Sequence, residues 1–289
     1  MEERSHPDSS TVPVPAGGCL SVPGGRDHNE DSCLLRDYSR RRAPRYLCLM
    51  AVADGMGGHR AGEKASSAAV LHLEQMVASS RFPGAADYRE NAAAVLGKAV
   101  SSINGIIYRE GRSSPGLSGM GTTLTCAMAD GSGAWVAHVG DSRAYLVSSS
   151  GARQVTEDHS LVGKMLKEGV LTEEEARVHG KRNVLTRAVG PGPEVEVDLF
   201  RVPLLPGEVL LLCSDGLHSM VTRDEIWRMV HPEVMMQQAC EKLVRLATDR
   251  GADDNITVVS WRVPRQEKPV GNKDRRRSRK RMKQDRRPA

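Results

Sequence analysis

The chain reads as an α+β fold, and three observations lead there. Runs of β-forming residues come in blocks, helical runs come in blocks between them, and no regular strand–helix alternation runs through the sequence. Aromatic residues make up only 3% of the chain, so the core must be aliphatic. At 289 residues the length allows one large domain or two small ones, with ample room for a full core.

The elements follow in order. Residues 1–20, rich in Ser, Pro and Gly without a hydrophobic period, read as a flexible leader, with the fold beginning near Leu20. The almost wholly apolar run from Tyr46 to Ala53 ends at Asp54-Gly55-Met56-Gly57-Gly58, which predicts a buried strand opening into a glycine loop. Residues 61–78 and 86–109 carry helix formers with apolar positions such as Ala69, Leu73, Met76 and Val77 three and four apart. From Gly121 to Val155 short β-rich runs alternate with Asp130-Gly131, Gly140-Asp141-Ser142 and Ser150-Gly151, the pattern of an antiparallel meander. Residues 158–180 return to helical spacing, with Thr172 as an N-cap ahead of three glutamates. Strands over 193–202 and 207–214, helices over 222–230 and 232–249, and a last strand Ile256–Val263 complete the body, 21–264.

Several function classes drop out. No run of eighteen uncharged apolar residues occurs, and Met1 to His6 lacks the order of a signal peptide, so a soluble cytoplasmic protein without a membrane span is expected. The six cysteines form no Cys-x-x-Cys pair, which suggests neither a zinc knuckle nor a disulfide frame, and most are expected to be buried thiols. The net charge of +5 divides unevenly: residues 265–289 hold twelve Lys/Arg against three Asp/Glu, so the tail carries +9 and the body −4. That tail has no apolar pattern and is expected to be disordered. Without interleaved aromatics it gives no basis for sequence-specific nucleic-acid recognition. Either non-specific contact with polyanions or simple solubilisation would suit it.

The chemistry lies in five aspartates, Asp31, Asp54, Asp141, Asp215 and Asp254, each beside glycine or in a tight-turn setting. Any one of them could merely cap a hairpin. Together they are harder to dismiss, because an apolar run ending in Asp-Gly occurs twice, at Asp54-Gly55 and Asp215-Gly216, far apart in sequence. Converging carboxylates repel, and an oxygen-rich, sulfur-free site suits Mg²⁺ or Mn²⁺. Glycine after Asp54 leaves the backbone carbonyl free to face the same ion.

Six motifs then stand in order: Arg26-x-x-Asn29-Glu30-Asp31, Ala53-Asp54-Gly55-Met56-Gly57-Gly58-His59, Gly119-x-Gly121-Thr122-Thr123, Val139-Gly140-Asp141-Ser142-Arg143, Ser214-Asp215-Gly216-Leu217 and Asp254-Asn255-Ile256-Thr257. Over roughly Ser21 to Val263 the chain resembles the metal-dependent Ser/Thr protein phosphatases of the PPM, or 2C, type, bacterial branch. The resemblance implies a four-layer α-β-β-α sandwich of two antiparallel sheets flanked by helices, with a helical flap over 158–190. It implies that Asp54 bridges two Mg²⁺ or Mn²⁺ ions, that Asp215 and Asp254 hold the first and the Gly55 carbonyl the second, with Asp31 acting through water, and that Asp141 takes a labile third ion. Arg26 is implied to grip phosphate with its planar fork.

Hydrolysis of phosphoserine and phosphothreonine by direct attack of metal-bridging hydroxide follows from the same resemblance, as does opposition to a bacterial Ser/Thr protein kinase. Met56 stands where many eukaryotic relatives have a histidine proposed as general acid, as it does in bacterial relatives; water, or alternatively His59, is left to protonate the leaving oxygen. His138, in an apolar run, is expected to be structural. The flap would influence substrate choice or simply cover the sheet. Two rivals remain at this level: a pseudo-enzyme that binds phosphoproteins without turnover, and a nucleic-acid-binding protein acting through its tail.

Overall fold

Each of the long apolar runs is buried on both faces because it lies between a second sheet and a helical layer. The computed structural model describes residues 16–38, 47–80, 85–230 and 234–264, with the side chains of His59 and residues 85–90 outside that description. Five strands form one sheet: β1 (Gly17–Val22), β7 (Arg143–Ser148), β8 (Gly151–Gln154), β10 (Val209–Cys213) and β11 (Ile256–Arg262), in the order β1-β11-β10-β7-β8. The other sheet orders β2 (Asp31–Asp37), β3 (Leu47–Met56), β5 (Leu124–Asp130), β6 (Gly133–Val139) and β9 (Asp198–Pro203) as β2-β3-β5-β6-β9, and the two-residue β4 (Gly121–Thr122) pairs with the end of β3. The pairings are antiparallel in both sheets.

Helices α1 (His59–Ser79) and α2 (Ala85–Ser113) cover the second sheet. Ala61, Ala65, Ala69, Leu73 and Val77 recur every four residues and pack with Leu49, Ala51, Leu124 and Met128 into an outer core. On the opposite side α5 (Asp215–His218), α6 (Arg223–Met229) and α7 (Met236–Asp249) cover the first sheet. There Met236, Ala239, Cys240, Leu243, Val244 and Ala247 form a single buried stripe against β1 and β11. A third cluster, including Met50, Val52, Val136, Leu210, Leu212 and Val259, fills the space between the sheets. Three cores between four layers make the α-β-β-α sandwich. Two short helices, α3 (Leu161–Lys167) and α4 (Glu173–Val178), stand apart from these layers, and Thr172 and Glu175 close a reciprocal capping box on α4, as the acidic first turn foretold.

Four local readings are corrected. The strand β1 begins at Gly17, inside the segment assigned to the leader, because its backbone pairs residue by residue with β11. The run from Tyr46 does not open into a loop at Asp54; β3 continues through Met56, and the turn is only Gly57-Gly58, both with positive φ. Residues 193–197 are not strand: Val195 and Val197 pack on the helical core, but the ladder to β6 starts at Asp198. The strand expected to run to residue 214 ends at Cys213, so Asp215 opens a helical turn. The basic tail, 265–289, lies outside the described residues. Among the described residues no helix is long and apolar enough to cross a membrane.

Candidate metal centre

The sandwich brings the five aspartates to one end. Asp31, the first residue of β2, stands directly opposite Asp54 of β3. Cross-strand neighbours lie roughly 5 Å apart at Cβ, where two like charges at an effective dielectric of about 20 cost about 3 kcal/mol. Three further carboxyls add to this. Asp141 follows β6 at a turn through Gly140, which has φ +114° and room for no side chain because Thr123 is packed against it. Asp215 opens α5, and Asp254 precedes β11.

The backbone around these groups is pinned. The Asp54 carbonyl accepts from Thr123 N–H at 2.8 Å and from the Thr122 hydroxyl at 2.8 Å, and Asp54 N–H donates to Thr123 Oγ1 at 2.9 Å. Ser214 Oγ donates to Asp31 Oδ2 at 2.8 Å and accepts from Thr257 N–H at 3.0 Å. Asn255 Nδ2 donates to the carbonyls of Pro23 and His28 at 2.9 and 2.8 Å, and its Oδ1 accepts from Glu30 N–H at 2.8 Å. A single amide thus holds the loop that leads into Asp31. His218 Nε2 donates to the Asp141 carbonyl at 3.0 Å. Thr122, Thr123, Ser214, His218 and Asn255 carried no assigned role in the sequence. Thr122, Thr123, Ser214 and Asn255 were signalled only by membership of the ordered motifs; His218, outside them, carried no signal.

Gly55 is constrained sterically: a Cβ there would meet the Gly62 carbonyl at 2.3 Å and the Glu30 carbonyl at 2.6 Å. Arg26 lies at the rim, 56% exposed, with Nη2 2.9 Å from Asp254 Oδ2. His59 opens α1, and its side chain lies outside the described residues. His138 is buried between the Thr125 hydroxyl and the Glu157 carbonyl, and burial, together with the neighbouring His159, pushes it down to about 4, the behaviour of a structural imidazole.

Electrostatics set this cluster apart. Burial, then Asp31, Asp215, Asp141 and Asp254 in turn, holds the Asp54 carboxyl well above the ordinary range. Asp31 is pushed up to about 7 by burial, against hydrogen bonds from Thr257 and Ser214 and with help from Asp215 and Asp254. Asp215 rises to about 6 by burial and by Asp254. Asp141 rises through burial and Asp215. Two buried oxygens, Asp31 Oδ1 and Asp215 Oδ1, have no hydrogen-bond partner. Among the described residues no three acidic, His or Cys side chains already close on a common point, so the carboxyls share a field before they share a ligand shell. An all-oxygen donor set with orphaned buried oxygens fits a hard divalent cation. The cluster faces a cleft of about 1020 Å³, with Asp141, Asp215 and Asp254 on one wall and Lys164, Arg177 and Arg182 from 158–190 among the residues of the other.

Comparison with known proteins identifies the family. The family model described as protein phosphatase 2C matches residues 24–255. The chain is 38% identical over 234 residues to the serine/threonine phosphatase stp of Listeria innocua, covering 81% of this chain and 90% of that protein. It superposes with a TM-score of 0.78 and 32% identity on a bacterial serine phosphatase crystal structure, covering 87% of this chain and 99% of that one. The catalytic domain of the phosphatase PstP, solved with two manganese ions, aligns with a TM-score of 0.72 and 33% identity over 86% of this chain and 98% of that one. Matched from the Arg26 loop to Asn255, and carrying the same four layers, the chain belongs to the protein phosphatase 2C family.

Proposed function

We propose that this enzyme hydrolyses phosphoserine and phosphothreonine in proteins at the carboxylate end of the sandwich, using Mg²⁺ or Mn²⁺. The observation that carries the reading is the elevation of Asp31, Asp54 and Asp215 by burial at one end of the sandwich, each raised further by at least one neighbouring aspartate. Carboxyls so arranged are held at a steep cost unless cations offset them. Asp54, at the centre of the group, would hold the ions together with Asp215, Asp254, Asp31 and the Gly55 carbonyl, and Asp141 would hold a labile third. Bound ions would supply an activated water and neutralise the phosphoryl oxygens.

The chain's own residues do the rest. Arg26 offers a guanidinium fork on the open side of the site, where a phosphate can replace Asp254 as its partner. Ser214, Asn255 and the Thr122–Thr123 pair hold carboxylates and backbone in place, so little reorganisation is needed when substrate arrives. The cleft between the sandwich and 158–190 gives a protein segment access. Met56 carries no titratable proton, so water, or alternatively His59, would protonate the leaving oxygen. Phosphoproteins made by a bacterial Ser/Thr kinase in the cytoplasm are the natural substrates of such a site. Within this reading 21–264 is the phosphatase domain, 158–190 its flap and 265–289 a basic appendage.

The test is turnover of p-nitrophenyl phosphate and of phosphothreonine peptides with Mn²⁺, abolished by EDTA and restored by Mn²⁺ or Mg²⁺. A chain that binds the phosphopeptide but releases no phosphate with either ion is a pseudo-enzyme, and the reading falls.

A further inference from the structure

The two cysteines that are only partly buried meet each other. Cys19 Sγ lies 2.6 Å from Cys33 Sγ, and both residues are only partly buried, whereas Cys48, Cys126, Cys213 and Cys240 are buried. Cys19 belongs to β1 and Cys33 to β2, which are the edge strands of different sheets. Both side chains face the layer between the sheets, at its open side. The edges approach so closely that a Cβ on Gly17 would meet the Leu35 side chain at 2.7 Å. No alternation pattern reveals such a pair, since the strands are neighbours across the sandwich and not within a ladder.

We propose that Cys19 and Cys33 form a thiol–disulfide exchange site that takes a small-molecule disulfide of the glutathione class. The two sulfurs together have about half an ångström to close to reach a bond of roughly 2.05 Å, and the strands that carry them are already in place. One cysteine thiol gives its proton to solvent and attacks a sulfur of the small disulfide; that S–S bond breaks and the first small thiol leaves with a proton. The second cysteine, deprotonated in turn, attacks the cysteine sulfur of the mixed disulfide and expels the second small thiol. Two protein thiols are oxidised and one disulfide is reduced to two thiols.

The position gives the bond a consequence. Residues 19 and 33 are 14 apart, and the loop they close carries Arg26, Asn29 and Asp31. A cross-link at its base removes freedom from the unfolded chain and ties the Arg26 loop across both sheets. The inference does not depend on the metal chemistry, since the bond and its thermal effect are read without turnover.

The experiment uses the full chain, reduced and then exposed to oxidised glutathione, trapped with N-ethylmaleimide and read by peptide mass. The expected result is a Cys19–Cys33 linked peptide pair, with two hydrogens lost, reversal by dithiothreitol and a melting midpoint raised by roughly 6–12 °C. Cys19→Ser and Cys33→Ser should each leave the remaining thiol as a stable glutathione adduct without that thermal rise. Wild-type chain whose Cys19 and Cys33 both stay alkylatable, or each hold a glutathione, overturns the proposal. So does a bond from either one to Cys240, whose thiol contacts Ser260 Oγ at 3.2 Å.

Discussion

Asp54 and Asp158 are both shielded carboxyls near the same cleft, and their surroundings drive them in opposite directions. Asp54 is ringed by four other aspartates and held well above the ordinary range, by burial first and by those charges next. Burial alone would raise Asp158 too. It is lowered instead, because Arg143 donates from Nε to both its oxygens at 2.9 and 3.1 Å and from Nη2 at 2.6 Å. The protein thus supplies its own counter-charge to one carboxyl and withholds it from the other. A structural ion pair is complete in itself; a metal site is left for something else to complete.

The largest effect that would break this contrast is at its centre. Asp54→Asn should lower Mn²⁺-dependent turnover of p-nitrophenyl phosphate by more than about 10³-fold, since it removes the group around which the electrostatics of the site are organised. The same substitution should raise the melting midpoint of the EDTA-treated protein, because a neutral amide relieves repulsion from four neighbours. Activity at the wild-type level, or a fall in the metal-free midpoint, would mean that Asp54 is an ordinary turn residue.

Asp158→Asn probes the other region and should fail in the other way. Arg143, whose side chain is 21% exposed, would keep its charge and lose its bidentate partner. Breaking a buried pair on one side costs about 3–5 kcal/mol, most of it from the charge left behind. Denaturant unfolding should show that loss with or without metal, and Arg143→Leu combined with Asp158→Leu should recover much of it. A loss below about 1 kcal/mol would place the pair among solvent-screened surface bridges.

The same contrast explains what could be read from sequence. Strands β3 and β10 were legible because burial on both faces leaves an unbroken apolar run, and the aspartates were legible because they follow such runs. The edge strand β1, with its Gly17-Gly18 start, has weak intrinsic preference and owes its conformation to pairing with β11 more than two hundred residues away. Residues 193–197 misled because Val195 and Val197 alternate as strand residues do while facing helices without a ladder partner. Arg143 sat in a recognisable motif, yet nothing in its separation of 15 residues from Asp158 announces an ion pair; the β7–β8 hairpin has to form first.

Metal binding should reverse the sign of one measurable slope. In metal-free protein, Asp31 at about 7 and Asp215 at about 6 bind protons more tightly folded than unfolded, where an aspartate titrates near 3.9. The stability they contribute is therefore complete below about pH 4 and is lost as pH rises toward 7. Mn²⁺ at a hundred times its dissociation constant adds about 2.7 kcal/mol and holds the carboxyls ionised, so stability in its presence should rise over the same window. Denaturant midpoints at four pH values, with EDTA and with Mn²⁺, decide this; parallel curves would show that the carboxyls bind no ion.

Asp141 sits between the two regions and should give the mildest phenotype. Its carboxyl is raised by burial and by Asp215, while Arg143, the partner of Asp158, pulls it back. Its backbone carbonyl is held by His218 Nε2 whatever its side chain. Removing the carboxyl therefore takes a charge from the edge of the cluster without unpinning the turn, whose shape depends on Gly140. Asp141→Ala should cost about tenfold in turnover, the low end of what a supporting group contributes to a metal site. If the carboxyl serves a weakly held third ion, raising Mn²⁺ should restore much of the rate in Asp141→Ala and none of it in Asp54→Asn. A loss as deep as that of Asp54→Asn, unmoved by added Mn²⁺, would place Asp141 inside the essential ligand set and shift the boundary between the two regions to Arg143 itself.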